Sequence, residues 1–357
     1  MPPFLRFIIR RTLVIPVSLL VTTLTLYGVL NLAPPEARAQ LYLPSRLPST
    51  MTEEDIDRLI ALIIREHGLN DPFPVQYVRW ISGIVRGDWG YSPALDGEIL
   101  PSLIARAPAT AELALYTSLF FIPLGLLSGV LAARRRAGLG DSAFRLSAFI
   151  GTSVPPFILG LWLLAVFYVA VRWFPPERLS QASNAIISSD GFTTYTGLLT
   201  LDGLLNGEPG ISFDALRHLV LPVLTLSLSH WATLGRLTRA SVLEEMDKAY
   251  VLAARARGLP NNRVVWRHAF RNAVVPSLNS TALSAASLVT GIYVVEVVFN
   301  FNGIAELVVR SVSSTPDVGL AAGFAFFSVL LVLPVMLVLD VIQALIDPRI
   351  REGIAAG

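Results

Sequence analysis

Six stretches without a charged side chain set the terms on which this sequence can fold: residues 12–35, 113–133, 146–171, 219–235, 272–295 and 318–339. Each approaches or exceeds the roughly 20 residues that cross about 30 Å of hydrocarbon as a helix. The chain has 357 residues, 53% of them hydrophobic and 15% charged, with mean hydropathy +0.60. That is more apolar surface than a soluble domain of this size can bury. The expected fold is therefore an all-α polytopic membrane protein with six transmembrane helices.

Charge orients those helices. Arg6, Arg10 and Arg11 precede the first stretch, Arg134, Arg135, Arg136 and Arg145 fall between the second and third, and Arg349 and Arg351 follow the sixth. Between the fourth and fifth lie eight basic residues from Arg236 to Arg271: these two with Arg239, Lys248, Arg255, Arg257, Arg263 and Arg267. With six crossings all of these share one side, which the positive-inside rule makes cytoplasmic, with both termini inside. The segment 36–108 then lies outside, and its Arg38, Arg46 and Arg58 are tolerated because long loops escape the rule. A cleaved signal peptide is the competing reading of the first stretch, with Ala37-Arg38-Ala39 as a loose cleavage site. Its apolar run is longer than a signal core, so it is read as retained.

The external segment reads as partly helical. Thr52, Glu53, Glu54 and Asp55 open a helix, Ile56, Leu59, Ile60 and Ile63 form an apolar stripe, and Gly68 closes it. The stripe either packs against the outer helix ends, the expected arrangement, or lies flat in the headgroup layer. A second external stretch, from about Pro175 to Asp214, is rich in Ser, Thr, Gly and Asn and reads as irregular loop. Pro155-Pro156 after Gly151-Thr152 predicts a break or bend in the third span.

The basic loop has its own local design. Asp247 is placed to cap a helix over 248–257, Gly258 supplies a positive-φ stop, and Pro260 forbids continuation. Asn261 or Asn262 is placed to cap a second helix from Arg263. Ala249, Ala253 and Ala256 share a face at i, i+4 and i+7, so the backbone there can approach another surface closely. The plainer reading is a topology signal in the headgroup region.

Several function classes drop out. The only lysine, Lys248, follows Asp247, so no Gly-Lys-Ser/Thr phosphate loop exists. Cysteine is absent, which removes thiol catalysis and thiolate metal sites. The four histidines, His67, His218, His230 and His268, have no second histidine at ligand spacing. An ion-driven secondary transporter would need carboxylates within the spans, and only the border residues Glu296 and Asp340 qualify. An intramembrane enzyme would need paired aspartates or a His-Glu-x-x-His motif, and neither occurs.

Polar positions in the later spans are candidates for a translocation path. Ser280, Ser284 and Ser287 share a face of the fifth span, with Thr290 and Thr281 nearby, and Ser229, His230 and Thr233 with Ser227 form a weaker set on the fourth. Small residues that only permit helix packing or satisfy backbone groups are the alternative. Glu296, at the outer end of the fifth span, is a further path candidate: an acid there is costly unless it faces water or a partner, so it either binds substrate or pairs with an arginine such as Arg310.

The run Tyr250-Val251-Leu252-Ala253-Ala254-Arg255-Ala256-Arg257-Gly258-Leu259, followed by Arg267-His268-Ala269-Phe270-Arg271-Asn272, resembles the cytoplasmic "EAA" loop of binding-protein-dependent ABC importer permeases, most closely the dipeptide/oligopeptide branch. The likeness extends over Gly68-Leu69-Asn70-Asp71-Pro72, Gln76-Tyr77, Gly87-Asp88-Trp89-Gly90, Ala109-Thr110-Ala111-Glu112-Leu113 and Asp347-Pro348-Arg349-Ile350-Arg351. Leu252 stands where many permeases carry the acid that names the motif, as in the peptide branch, and Asn302-Gly303 replaces a Pro-Gly. The resemblance implies the type I ABC importer permease fold: residues 1–35 as N-terminal tail and first span, 36–108 as external segment, 109–346 as permease core with coupling loop 236–275, and 347–357 as cytoplasmic tail. It implies an ATPase-coupling surface built from Asp247, Tyr250, Ala253, Ala254, Arg255, Ala256, Arg257, Gly258, Leu259, Arg267 and His268. It further implies a second related permease, two ATPase subunits that hold ATP and Mg, and an external substrate-binding protein. The chain itself would carry no cofactor and bind no nucleic acid, and it would sit in a bacterial or archaeal cytoplasmic membrane. The implied cargo is di- or oligopeptide, with nickel chelates, glutathione and oligosaccharides as alternatives.

Overall fold

The computed structural model describes residues 3–39, 42, 51–92, 94–189, 191–313 and 317–346. In chain order its helices are α1 (Pro3–Leu30), α2 (Pro35–Ala39), α3 (Glu53–Glu66), α4 (Phe73–Arg86), α5 (Ile99–Arg134), α6 (Leu139–Ser153), α7 (Pro156–Leu163), α8 (Gln181–Ile187), α9 (Leu199–Leu205), α10 (Pro209–Met246), α11 (Ala249–Ala256), α12 (Asn261–Arg263), α13 (Phe270–Phe299), α14 (Ile304–Ser313) and α15 (Val318–Ile346). Two π-helical pieces, Leu164–Ala170 and Val264–Ala269, extend α7 and precede α13, and a two-residue hairpin pairs β1 (Tyr91–Ser92) with β2 (Gly97–Glu98). Among the described residues, α1 (over Thr12–Val29), α5 and α10 are each long and apolar enough to cross a membrane, and α6 with α7 makes a fourth if that bent pair is one span.

The chain forms two compact units. One joins Ile9–Ala107 with Ile304–Leu333. In it, α1 meets α4 through a hydrogen bond between the Thr23 and Tyr77 hydroxyls (2.9 Å) and a stack of Tyr27 on Trp80 (5.1 Å). The turn Gly68–Pro72 is held by side chains from both flanks. Arg38 and Gln76 both donate to the Leu69 carbonyl (2.8 and 3.0 Å), and Arg79 pairs with Asp71 at 2.6 Å. In the Gly87–Gly90 turn, the Trp89 ring N–H donates to the Ile84 carbonyl (3.2 Å) and its rings pack on Phe326 and Phe327. Asp317 accepts from Ser92 (2.5 Å) and from the Leu320 N–H (2.8 Å), fixing the hairpin to the start of α15.

The α3 helix forms as its sequence predicts. Thr52 and Asp55 make a reciprocal capping box, and Gly68 follows the C-terminus at φ +58°. The stripe packs within this unit, where Ile63, Leu59 and Ile60 cluster with Ala39 and Leu69. The Thr52 hydroxyl and N–H hold the Asp55 carboxyl below its ordinary 3.8. The folded pKa is the lower one, so this contribution is present above the unfolded value and is lost as pH falls through the folded value. Amide protection factors over residues 53–56 are expected to drop on acidification, and Thr52→Ala is expected to show the same loss at neutral pH.

The other unit is centred on Pro108–Gly303. Its core lies among α5, α10 and α13, where Leu113, Phe121, Leu226, Ile292, Val295 and Phe299 are buried together. At Gly129 a Cβ would come 2.6 Å from the Gly235 carbonyl oxygen, so α5 and α10 cross at backbone distance. The 38 residues of α10 give about 57 Å of helix, enough to cross the hydrocarbon and continue beyond it. The expected break in the third span is present as a bend of 102° between Leu139–Ser153 and Pro156–Ala170. Val154, ahead of Pro155, is pushed to the extended region (φ −94°, ψ 120°) by the proline ring.

The stretch from Pro175 to Asp214 departs from the irregular loop expected of it: it holds α8, α9 and the start of α10. Its polar residues are caps and ties rather than solvated loop. Ser180 caps α8 through the Ser183 N–H. Asp202, fully buried, accepts from the Thr196 N–H (2.9 Å), the Thr196 hydroxyl (2.7 Å) and the Gly197 N–H (2.8 Å).

Candidate functional site

The basic loop resolves into one compact surface at the end of α10. The Asp247 N–H reaches the Glu244 carbonyl (3.3 Å) and the Lys248 N–H the Glu245 carbonyl (3.2 Å), so both residues serve to close α10. Asp247 therefore ends one helix instead of capping the next. Lys248 occupies the cap position of α11 in extended geometry with no side-chain cap. Its ammonium turns back to Glu244 at 3.1 Å, and that carboxylate raises its pKa. The second expected cap shifts likewise: Pro260 holds the cap position and Asn261 and Asn262 are already helical, because a proline at ψ 141° delivers the chain directly into a first turn.

The helix α11 is two-sided. Val251 and Ala254 are buried against Val264, Ala269, Met246 and Leu259. Ala249, Ala253 and Ala256 are exposed on the other side, with Tyr250, Arg255, Arg257 and Gly258 also at the surface. Gly258 sits at φ +77° with open space around its Cα, so backbone conformation alone fixes glycine there. Leu259 and His268 are half-buried and Arg267 is exposed. The expected α-helix from Arg263 is π-helical over Val264–Ala269. A π turn sets residues i and i+5 nearly in line, which lets Val264 and Ala269 both face α11.

Tyr250 ties three elements together. Its hydroxyl donates to the Glu245 carboxylate at the end of α10 and accepts from Asn272 Nδ2 in α13 (2.8 Å). Burial first, then the Glu245 carboxylate, raises the phenol's pKa, so it remains a proton donor at neutral pH. Asn272 carries no sequence signal for this role, since it is 22 positions away. Tyr250→Phe removes two exposed hydrogen bonds and is expected to cost about 1 kcal/mol. The check is the melting temperature in detergent, which should fall by a few degrees without loss of insertion.

The path candidates fall at separate places. On α10, Ser229 and His230 are half-buried and Thr233 is exposed, its hydroxyl donating to the Ser229 carbonyl (3.0 Å). The His230 ring lies 5.4 Å from that of Phe121. On α13, Ser287 and Thr290 are exposed, whereas the side chains of Ser280 and Ser284 lie outside the described residues. Glu296 is buried, accepts from the Thr110 hydroxyl, and packs so closely on Gly303 that a Cβ there would overlap the carboxylate. The side chain of its expected partner Arg310, that of Asp340 and the whole Asp347–Arg351 segment are likewise outside the described residues.

Two ion pairs made to buried acids escape a reading based on spans alone. Glu112, fully buried in α5, accepts from Arg178 Nη2 (2.7 Å) and Nε (3.2 Å) and from the Thr200 N–H (2.9 Å) and hydroxyl (2.8 Å). Asp141 in α6 takes Arg239 of α10 in a two-bonded fork (2.5 and 2.8 Å) and also accepts from the Ala137 N–H (3.0 Å). Arg239 thus counts toward the basic face of the sequence while its charge is spent inside the fold. The only signal for either pair is an acid just before an apolar run, with a partner 66 or 98 positions on.

Comparison with known proteins agrees with this architecture. Residues 122–352 match the family described as "Binding-protein-dependent transport system inner membrane component", and residues 4–114 match the N-terminal part described for such membrane components. The chain is 33% identical to the Di/tripeptide transport system permease protein DppB of Pseudomonas aeruginosa, over 98% of this chain and 99% of that one. It is 33% identical to the Oligopeptide transport system permease protein AppB of Bacillus subtilis, over 97% and 99%. Against the Dipeptide transport system permease protein DppB of Escherichia coli K12 the identity is 30%, over 82% and 85%. With the matches covering almost its whole length, the chain belongs to the family of binding-protein-dependent transport system inner membrane components.

Proposed function

We propose that this chain is the permease subunit that forms half of the translocation path of an ATP-driven peptide importer, and that it receives the ATPase's motion through α11. The observation that carries the proposal is the two-sided build of α11. One face is fixed to the π-helical segment and the end of α10, while the Ala249, Ala253 and Ala256 face stands free between exposed arginines. A short rigid helix with a small-residue face is a peg suited to a cleft in a partner. The names of three relatives at 30–33% identity favour di- or oligopeptides over nickel chelates, glutathione or oligosaccharides as cargo.

In this reading six crossings are made by α1, α5, the bent α6–α7 pair, α10, α13 and α15, with residues 36–108 outside, the loop 236–275 and the 347–357 tail inside, and both termini cytoplasmic. Support comes from the length and apolarity of α1, α5, α10 and the bent α6–α7 pair, and from the 30 and 29 residues of α13 and α15. A second, related permease completes the path above two ATPase subunits, and an external binding protein delivers cargo. The path residues are Ser229, His230, Thr233, Ser280, Ser284, Ser287 and Thr290, with Glu296 setting the end of α13. The chain is not an ATPase, since it has no phosphate loop.

The test is co-expression with the partner subunits, purification in mild detergent and reconstitution. ATP-dependent uptake of a labelled di- or tripeptide supports the assignment. Uptake that survives ATP depletion and collapses with an uncoupler would replace it with an ion-driven carrier.

A further inference from the structure

The short helix α9 is built inside out. Its sequence is Leu-Thr-Leu-Asp-Gly-Leu-Leu, and its inward face carries Thr200 and the carboxylate of Asp202, both buried, beside Leu199. Every polar group on that face is satisfied within the fold. Thr200 donates twice to Glu112, and Asp202 accepts three bonds from Thr196 and Gly197. Its outward face presents three leucines, Leu201, Leu204 and Leu205, exposed by 43, 59 and 59%, and no charge. A helix in water does the reverse.

The fold also fixes where this face lies. Leu199 packs with Ile211 and Ala215 of α10, and a Cβ on Gly203 would meet the Ser212 backbone at 2.8 Å, so α9 runs alongside the first two turns of α10. From Ala215 to Leu219, where the uncharged run of α10 begins, is about 6 Å along the helix. Amphipathic helices in membranes sit about 5–10 Å into the boundary between headgroups and acyl chains. Neighbouring side chains suit that depth. Trp173 and Tyr195 are exposed, as in the aromatic belts of membrane proteins, and Arg217, exposed, donates to the Trp173 carbonyl (2.6 Å). Three leucines are too little for a protein interface, which needs about 800 Å² on each partner.

We infer that α9 is a membrane-interface helix: its leucine face inserts into the acyl boundary of the phospholipid leaflet at that end of α10, and the Glu112–Arg178–Thr200 cluster holds it there. This rests on the reading of α10 as a membrane-crossing helix. The leaflet then bears on the segment that the buried cluster ties to α5, so lipid contact and the placement of Pro175–Asp214 are one device.

The absence of cysteine makes the test clean. Leu204→Cys, with Leu201→Cys as a second variant, is labelled with an environment-sensitive fluorophore in the assembled importer reconstituted into phosphatidylethanolamine–phosphatidylglycerol vesicles. Leu224→Cys, exposed within the uncharged run of α10, serves as the lipid control and Gln181→Cys on α8 as the water control. The expected result is at least about twofold quenching at 204 by a spin label attached high on the lipid acyl chain, with little quenching by aqueous iodide. Iodide quenching at 204 to the level of 181 would overturn the inference, as would protection from both quenchers, which means a protein covers the face. If position 224 also escapes the lipid quencher, it is the reading of α10 as a membrane-crossing helix that has failed, and the inference falls with it.

Discussion

Gly258→Val is expected to lower ATP-driven uptake about tenfold or more while the amount of chain inserted in the membrane stays unchanged. Gly258 holds φ +77° at the end of α11 and nothing lies within 4 Å of where a Cβ would stand, so a side chain there meets no clash. The penalty is in the backbone: the left-handed region costs a residue with a Cβ about 1–2 kcal/mol, and a β-branched one more. The chain can relieve that strain by unwinding the last turn of α11 or tilting it off the Val264–Ala269 segment. Either movement displaces the Ala249, Ala253 and Ala256 face. Since 1.36 kcal/mol is about a factor of ten in rate, and the proposed docking face moves as a unit, uptake is expected to respond more than stability does. Gly258→Ala should show the same sign with a smaller loss. Uptake assays on membranes matched for permease content check the effect.

The largest stability effect is expected at Arg178. Its guanidinium is the charge partner of Glu112, which has no access to solvent. Arg178→Ala leaves a buried carboxylate with only the two neutral bonds from Thr200, and breaking a buried pair in this way typically costs about 3–5 kcal/mol. It also frees the Gly197 carbonyl, which Arg178 holds at 2.6 Å. Glu112→Gln, which keeps the shape and the Thr200 contacts but loses the charge, should cost less. A thermal melt of the purified chain in detergent separates the two: Arg178→Ala is expected to lose the cooperative transition of the α8–α9 region or to accumulate poorly, and Glu112→Gln to remain folded with a lower melting temperature.

The parts of this fold legible in the sequence are those governed by local rules. Uncharged length marked α1, α5 and α10, the Pro155-Pro156 pair marked the bend of 102°, and Thr52 with the acids after it marked the start of α3, because each depends on residues within a few positions of one another. The face of α11 was legible for the same reason, through the i, i+4, i+7 spacing of its alanines. Its caps were not. Asp247 has the chemistry of a cap, but α10 runs to Met246 and uses Asp247 to close itself, and the length of α10 is set by packing against α5 and α6 rather than by propensity. The Pro175–Asp214 stretch was misread because Ser, Thr and Asn mark turns and caps alike, and only the distant Glu112 shows which Thr faces inward. Asp141 with Arg239 and Tyr250 with Asn272 remained hidden because nothing local couples positions 98 and 22 residues apart.

The most direct measurement of the central claim is a cross-link from α11 to the ATPase. With cysteine absent from the chain, Ala253→Cys places one thiol on the exposed face and Ala254→Cys one on the buried face. A short thiol-reactive cross-linker applied to the assembled complex is predicted to join position 253 to the ATPase subunit and to leave position 254 unmodified. No adduct at 253, or labelling of 253 by a membrane-impermeant reagent added from the side on which the binding protein acts, would contradict α11 as the coupling element.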